Sequence, residues 1–331
     1  MESRFLVIGS NSFSGSHFVK HLLENEFQVL GVSRSIEPNE VFLPYKWNTK
    51  SSESFHFQQI DLNKNINKII KLINNYKINF IVNFASQGMV AESWNSPEDW
   101  YETNVISQVK LHDELRKLKH IEKYIHVSTP EVYGNTKKWI KENFNFSPST
   151  PYAVSRAACD LHLKSFFDAY KFPVIFTRAA NVYGPGQQLY RIIPRTILAT
   201  KNSPKLELHG GGTSKRSFIH INDVVKATLK IALHGKIGET YHISTNSSIS
   251  IRNLVDRICN FSKIDFNEVV KISDERLAKD EAYLLDSSKL RKELDWKDEE
   301  DLEDGILETM SWVTKNLKVI NKLPITYEHK S

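Results

Sequence analysis

Cysteine is scarce. Only Cys159 and Cys259 occur in 331 residues, far apart and each inside a helix-like pattern. Two such thiols exclude a disulfide framework and read as buried groups in a reducing compartment. Long apolar runs are missing too. No stretch approaches the roughly 18 residues that span a bilayer. The run Phe5–Ile8 is too short for a secretory signal before Gly9 interrupts it. Charge of one sign is also weak: 44 Lys and Arg oppose 39 Asp and Glu, a net of +5. That mildly basic balance suits an anionic small molecule, not nucleic acid. There is no internal repeat and no low-complexity linker. What remains is ordinary for a soluble globular chain, 40% hydrophobic and 25% charged, which excludes disordered, collagen-like and fibrous classes. The length allows one large domain or two small ones. It buries enough core to need neither disulfide nor metal staple, and no metal site is expected.

The first half alternates short apolar strands with helical patterns. Arg4–Ile8 is a continuous apolar run, as a buried parallel strand requires. Ser14–Asn25 follows with Phe18, Val19, Leu22 and Leu23 at helical spacing. Strands are expected at Gln28–Ser33, Phe55–Ile60, Asn79–Phe84, Lys123–Ser128 and Phe172–Thr177. Helices are expected at Asn65–Asn75, Pro97–Leu118 and from Pro151 to about Tyr170. This alternation predicts βαβ units, right-handed crossovers and an α/β fold with a doubly wound parallel sheet. Beyond Gly184 the rhythm loosens, with a helix at Asn222–Leu233, a strand at Glu239–Ser244 and a helix at Ile251–Phe261. Residues 1–180 read as a dinucleotide-binding domain that also holds the catalytic residues. Residues 181–321 read as a smaller substrate-binding lobe that returns some elements to the main sheet, and 322–331 as a loose tail.

Three motifs carry chemistry. Gly9-Ser-Asn-Ser-Phe-Ser-Gly15 lies between the first strand and first helix. Glycine allows a tight turn and close approach to a phosphate, and the helix N-terminus offers N–H groups to a pyrophosphate. Ser12 stands where a third glycine is usual, and a purely structural turn would use the same residues. Tyr152-Ala-Val-Ser-Arg156 sets a phenol and a guanidinium four residues apart on one helix face. A nearby cation favours phenolate and so fits the tyrosine for base work, although surface pairs of this kind are common. Ser128-Thr-Pro-Glu-Val-Tyr-Gly134 puts a carboxylate and hydroxyls at the carboxyl end of the fifth strand, where doubly wound sheets bind ligands.

Together these motifs resemble the extended short-chain dehydrogenase/reductases, specifically the NAD(P)-dependent nucleotide-sugar epimerases and dehydratases. Further matches are Asn83-Phe-Ala-Ser-Gln87, Asn181-Val-Tyr-Gly-Pro-Gly186, Arg216-Ser-Phe-Ile-His-Ile-Asn-Asp223 and Gly238-Glu-Thr-Tyr-His-Ile243. Asp286-Ser-Ser-Lys-Leu290 and Leu294-Asp-Trp296 continue the series. The resemblance covers nearly the whole chain and implies a Rossmann-type sheet with a smaller C-terminal substrate-binding lobe. Glu131 after the Thr-Pro pair is similar to the 4,6-dehydratases of dTDP-glucose and GDP-mannose type. It implies conversion of a nucleotide hexose to its 4-keto-6-deoxy form.

In that reading Thr129, Glu131, Tyr152 and Arg156 are catalytic. Gly9, Ser12, Phe13, Ser14, Gly15, Arg34, Asp61, Leu62, Phe84, Ala85 and Ser86 hold the cofactor, with Tyr152 and Arg156. Gln87, Thr129, Asn181, His209 and Arg216 bind substrate. Two residues depart from the family pattern. Pro130 stands where dTDP-glucose dehydratases carry a proton-donating aspartate, and Arg156 stands in place of lysine. The cofactor is NAD(P). Ser33-Arg34-Ser35 offers no carboxylate against a 2′-phosphate, and Arg34 could pair with one, which favours NADP over NAD; Arg34 stacking on adenine over NAD is the other reading. A UDP-glucuronate decarboxylase and a 4-epimerase remain alternatives, as does, from another class, a non-catalytic nucleotide-sugar-binding protein. The resemblance also implies a cytoplasmic homodimer without nucleic-acid or membrane partners.

Overall fold

The computed structural model describes residues 3–47, 54–201, 204–275 and 280–330. The N-terminal half forms β1 (Arg4–Ile8), α1 (Phe13–Glu24), β2 (Gln28–Ser33), β3 (Phe55–Gln59), α2 (Ile66–Asn75) and β4 (Phe80–Asn83). Then come α3 (Pro97–Tyr101), α4 (Ser107–Leu115), β5 (Lys123–Ser128), α5 (Pro151–Tyr170) and β6 (Val174–Ala179). With the later strand Thr240–Ile243 these make a seven-stranded parallel sheet, ordered Thr240–Ile243, β6, β5, β4, β1, β2, β3. Strand residues alternate between faces. Phe5, Val7 and Val29 join Phe18 and Leu22 in one core. Leu6, Ile8 and Leu30 join Ile69, Ile73, Leu111 and Leu163 in the other. Both faces are covered over the central strands, which explains why β1, β2 and β4 are near-continuous apolar runs, whereas edge strand β3 alternates and exposes His56, Gln58 and Gln59. The winding reverses at β1, which has β2 on one side and β4 on the other. The carboxyl ends of β1 and β4 therefore open the crevice where such sheets bind ligands.

The single helix expected at Pro97–Leu118 is not what forms. Between α3 and α4 the backbone makes a π-helical turn over Glu102–Ile106, and α4 stops at Leu115. The turn carries Asn104, fully buried. Its Oδ1 accepts from the Gln87 N–H at 2.8 Å, and its Nδ2 donates to Ser155 Oγ at 3.0 Å on α5. A pattern of 3.6 residues per turn cannot reveal such a widening, and π turns are frequent at functional sites.

Beyond β6 the chain builds shorter pieces. Strand Asn181–Tyr183 pairs with Phe218–His220, and Leu206–His209 with Val270–Ser273. Helices Ile192–Ala199, Ile251–Ser262 and Leu302–Lys315 share a core that includes Ile193, Ile197, Leu254, Ile258, Ile306 and Val313. Both cysteines are buried. Burial pushes the Cys159 thiol up to about 12 and the Cys259 thiol up to about 11. No helix among the described residues is long and apolar enough to cross a membrane.

Candidate active site

The β1–α1 turn is built for close approach. Gly9 sits at φ +83°, and a Cβ there would lie 2.8 Å from the Ala85 nitrogen. At Gly15 a Cβ would strike the Gly9 carbonyl at 2.1 Å. Ser12 caps α1: its Oγ accepts from the Gly15 N–H at 3.1 Å and donates to the Gly9 carbonyl at 2.7 Å. Serine at the middle position thus serves as the helix cap, and Phe13 and Ser14 open the first turn. At the end of β2, Ser33 Oγ accepts from the Asn11 N–H at 2.9 Å. Arg34 follows it, with a buried Nη1 that has no hydrogen-bond partner. Asp61 holds the Asn63 N–H at 2.9 Å just beyond β3, beside buried Leu62. Beyond β4, Asn83 Oδ1 accepts from the Ala85 N–H at 2.9 Å and so bends the chain through Phe84, Ala85 and Ser86. A narrow glycine cradle, a helix N-terminus and an unpaired guanidinium nitrogen fit the pyrophosphate and ribose of a dinucleotide.

The chemical groups converge at the carboxyl end of β5. Thr129 caps a short 3₁₀ turn, Pro130–Tyr133. Its hydroxyl donates to Glu131 Oε2 in a very short hydrogen bond. Pro130 is buried at the first position of that turn, where a fixed φ suits it, and it offers no proton. α5 begins opposite, with Thr150 Oγ1 accepting from the Ala153 N–H at 3.2 Å and Pro151 in the first position. That start buries Tyr152 and Arg156 one turn apart, at 8% and 2% exposure.

Burial raises the Glu131 carboxyl above its ordinary range, while Thr129, Arg216 and Arg191 pull it down. Burial, and then the Glu131 charge, push the Tyr152 phenol up to about 12, although Arg156 and Thr129 act the other way. The expectation that a cation would favour phenolate therefore has the right sign for Arg156, but burial outweighs it in the free protein. The Arg156 guanidinium faces the strand: Nη2 donates to the Val127 carbonyl in a very short bond and lies 3.4 Å from His126 Nε2.

Beneath these groups lies a polar network that no motif announced. Asp160, one turn beyond Arg156, is fully buried. Its Oδ2 accepts from Ser128 Oγ at 2.9 Å and Arg178 Nη2 at 2.7 Å, and His126 Nε2 lies 3.1 Å from Oδ1. Burial pushes its carboxyl up, but Arg178 and His126 more than offset this and hold it well below the usual range. Arg178 also donates to Tyr133 OH at 2.6 Å and is caged by the rings of Tyr133, Phe144 and Phe146. One carboxylate thus ties the strand-end motif to the helix that carries Tyr152. Asp160 left only a charge on the buried stripe of α5, and Arg178 lies one residue past the expected strand Phe172–Thr177, inside β6.

The remaining predicted residues are scattered around this centre. Asn181 lies on its short strand, its N–H donating to the Ser217 carbonyl at 3.0 Å. Arg216 lies over the Tyr283 ring at 4.4 Å and donates to the carbonyls of Lys215, Asp280 and Glu281. Its charge also reaches Glu131. His209 contacts Ser273 Oγ at 2.9 Å and the Asp274 carbonyl at 3.1 Å on the neighbouring strand and loop. Gln87 is buried, and its Nε2 donates to the Lys330 carbonyl at 2.6 Å. Arg191 was not foreseen, yet its charge reaches both Glu131 and Tyr152. Segment 322–330, expected as a loose tail, makes specific contacts: His329 Nε2 lies 2.6 Å from Asp99 Oδ2, and its ring stacks on Trp100. Among the described residues no group of three or more His, Cys, Asp and Glu could hold a metal ion.

Comparison with known proteins gives consistent matches. A family model described as GDP-mannose 4,6 dehydratase matches residues 6–309. The dTDP-D-glucose 4,6-dehydratase of Mus musculus is 31% identical over 330 residues, covering 95% of this chain and 89% of the relative. A trifunctional UDP-glucose 4,6-dehydratase/epimerase/reductase of Arabidopsis thaliana is 29% identical over 324 residues. That match covers 94% of this chain but 47% of the relative, so the chain spans about half its length. Among solved structures, DesIV, a dTDP-glucose 4,6-dehydratase from Streptomyces venezuelae with NAD and TYD bound, superposes with a TM-score of 0.88 at 26% identity. It covers 96% of this chain and 98% of DesIV. The dTDP-glucose 4,6-dehydratase of Bacillus anthracis in complex with NAD gives 0.85 at 27% identity, covering 96% of this chain and 98% of that one.

Proposed function

The chain belongs to the GDP-mannose 4,6-dehydratase family of nucleotide-sugar-modifying enzymes, and from that premise we propose how its own residues carry out a 4,6-dehydration. The observation that carries the reading is the convergence of Thr129, Glu131, Tyr152 and Arg156 at the carboxyl end of β5. A bound nicotinamide dinucleotide would supply a reversible hydride acceptor, taking hydride from C4 and returning it to C6 after water has left, as C5 regains a proton. With cofactor and substrate bound, Tyr152 as phenolate would take the proton of the sugar C4 hydroxyl, and Thr129, its hydroxyl turned from Glu131, would donate a hydrogen bond to the oxygen that becomes the 4-ketone. The ketone acidifies the C5 hydrogen, which Glu131 removes as the C6 hydroxyl departs. With proline at position 130, Glu131 is the group placed to hand that same proton to the leaving hydroxyl, giving water. A carboxyl raised by burial suits both taking and returning a proton. Arg156 sustains a positive field beside Tyr152. Asn181 and Arg216 bind the nucleotide diphosphate, Arg216 through charge-assisted hydrogen bonds. His209 packs on the base.

The cradle of Gly9, Ser12 and Gly15 fits the dinucleotide, and the absence of a carboxylate from Ser33-Arg34-Ser35 at the end of β2, together with the unpaired Arg34 Nη1, favours NADP. The two solved relatives above hold NAD, so this preference belongs to the present chain's own residues. A homodimer is supported by exposed apolar side chains on the turn before α4 and along α5: Ile106, Val154, Leu161 and Tyr170. Sedimentation at micromolar concentration tests it, and a monomer mass refutes it. A cytoplasmic location fits two buried free thiols.

The deciding experiment is a screen of nucleotide sugars with mass detection. Loss of one water establishes dehydration. Loss of carbon dioxide establishes the second reading, a decarboxylase, for which Arg191 beside Glu131 supplies a cation for a sugar carboxylate. An isomer of unchanged mass establishes epimerisation.

A further inference from the structure

Burial alternates along the C-terminal segment as it bends at Leu323, Ile325 and Thr326: Leu323, Ile325 and Tyr327 are half-buried, whereas Pro324, Thr326 and Glu328 are exposed. Leu323 and Ile325 pack against the core of the C-terminal lobe. Tyr327 meets Tyr190 edge to face at 5.5 Å, and both Arg34 and Arg191 act on its phenol. His329 then lies parallel to the Trp100 ring, 5.0 Å between centroids and 8° between planes, with its Nε2 2.6 Å from Asp99 Oδ2. Last, the Lys330 carbonyl accepts from Gln87 Nε2 at 2.6 Å. With the segment in place Trp100 is fully buried and Gln87 only 6% exposed. The strap therefore runs from the lobe, past the residue next to Arg191, to a side chain that the dehydratase reading places against the substrate.

We propose that the groove lined by Gln87, Asp99, Trp100 and Tyr190 is a binding site for the chain's own C-terminal segment, and that a nucleotide sugar must displace this segment to enter. The argument rests on the functional reading for Gln87. Its amide is held by the Lys330 carbonyl, so substrate and strap compete for one buried side chain. The attachments are a His329–Asp99 side-chain contact, two ring contacts and one hydrogen bond to the Lys330 carbonyl. Each is individually weak, so the strap opens without unfolding the lobe.

The test follows the His329 ring protons by NMR in the full chain carrying Tyr152→Phe, which stops turnover, free and with dTDP-glucose, UDP-glucose or GDP-mannose. Stacked on Trp100, these protons are shifted upfield in the free chain and return toward ordinary imidazole positions once a sugar nucleotide binds. Unshifted ring protons in the free chain overturn the docking. An upfield shift kept or enlarged on binding overturns displacement and makes the segment a cover over substrate. In a second arm, adding Tyr327→Ala and His329→Ala tightens nucleotide-sugar binding by about three- to tenfold in calorimetry. Unchanged or weaker binding overturns the competition. Should none of the three bind either protein, the functional reading fails along with the competition. Firm binding without release of the strap sinks the competition alone.

Discussion

Asp160→Asn is the most informative single change below the site. Asparagine keeps the size and one acceptor oxygen but removes the charge that faces buried Arg178. Stranding one member of a buried ion pair costs about 3–5 kcal/mol. Unfolding entropy is about 2.1 cal/mol/K per residue, so 331 residues carry roughly 0.7 kcal/mol/K. Tm should therefore fall by about 4–7 °C near neutral pH. The pH dependence has a definite sign. The native carboxyl is depressed, so its contribution is complete above its unfolded pKa of about 3.9 and fades as pH falls toward the lower folded value. Calorimetry from pH 7 to pH 3 should show a constant gap between wild type and variant down to about pH 4, and a narrowing gap below. Because Ser128 Oγ also binds Asp160, kcat should fall more than KM rises. A Tm change under one degree, or a gap that stays constant to the acid end, would refute the reasoning.

Tyr152→Phe should lower turnover by at least about a hundredfold while dinucleotide binding, read by calorimetry, stays close to wild type. Glu131→Gln should still allow oxidation at C4 but block elimination, so reduced nicotinamide accumulates and is read by absorbance. The acid limb of the kcat profile, which burial places above the ordinary carboxylate range, should vanish with it. Arg34→Ala should weaken NADP binding about ten- to a hundredfold, the loss of charge-assisted bonds worth about 1.5–3 kcal/mol, with little change for NAD. Equal weakening of both cofactors would make Arg34 an adenine-stacking residue.

The parallel sheet was readable because buried strands and helix faces leave local periodic traces. β2 and β5 fall where the apolar runs put them, and β6 is displaced by only two residues from Phe172–Thr177 to Val174–Ala179. The lobe was harder because its strands are two to four residues long and obtain their geometry from partners distant in the chain. Chemistry divides the same way. Thr129, Glu131, Tyr152 and Arg156 sit inside short motifs whose spacing already implies a shared face. Arg191 and Tyr327 carry no motif and meet the site only through tertiary folding. Asp160 did leave a trace, a charge within a buried helical pattern, and such charges call for partners; Arg178 fell just beyond the expected strand and left none. The π turn at Glu102–Ile106 left none, because one widened turn barely disturbs the apolar spacing.

The two thiols buried in the core have a practical consequence. Alkylating reagents attack thiolate, and neither Cys159 nor Cys259 offers much of it at neutral pH or an open path to a reagent. The native chain is thus a nearly silent background for maleimide dyes. A single cysteine installed at exposed Glu328, paired with a second at exposed Ile36, would take label selectively. The distance between the two dyes could then be followed in single molecules without first removing a native residue.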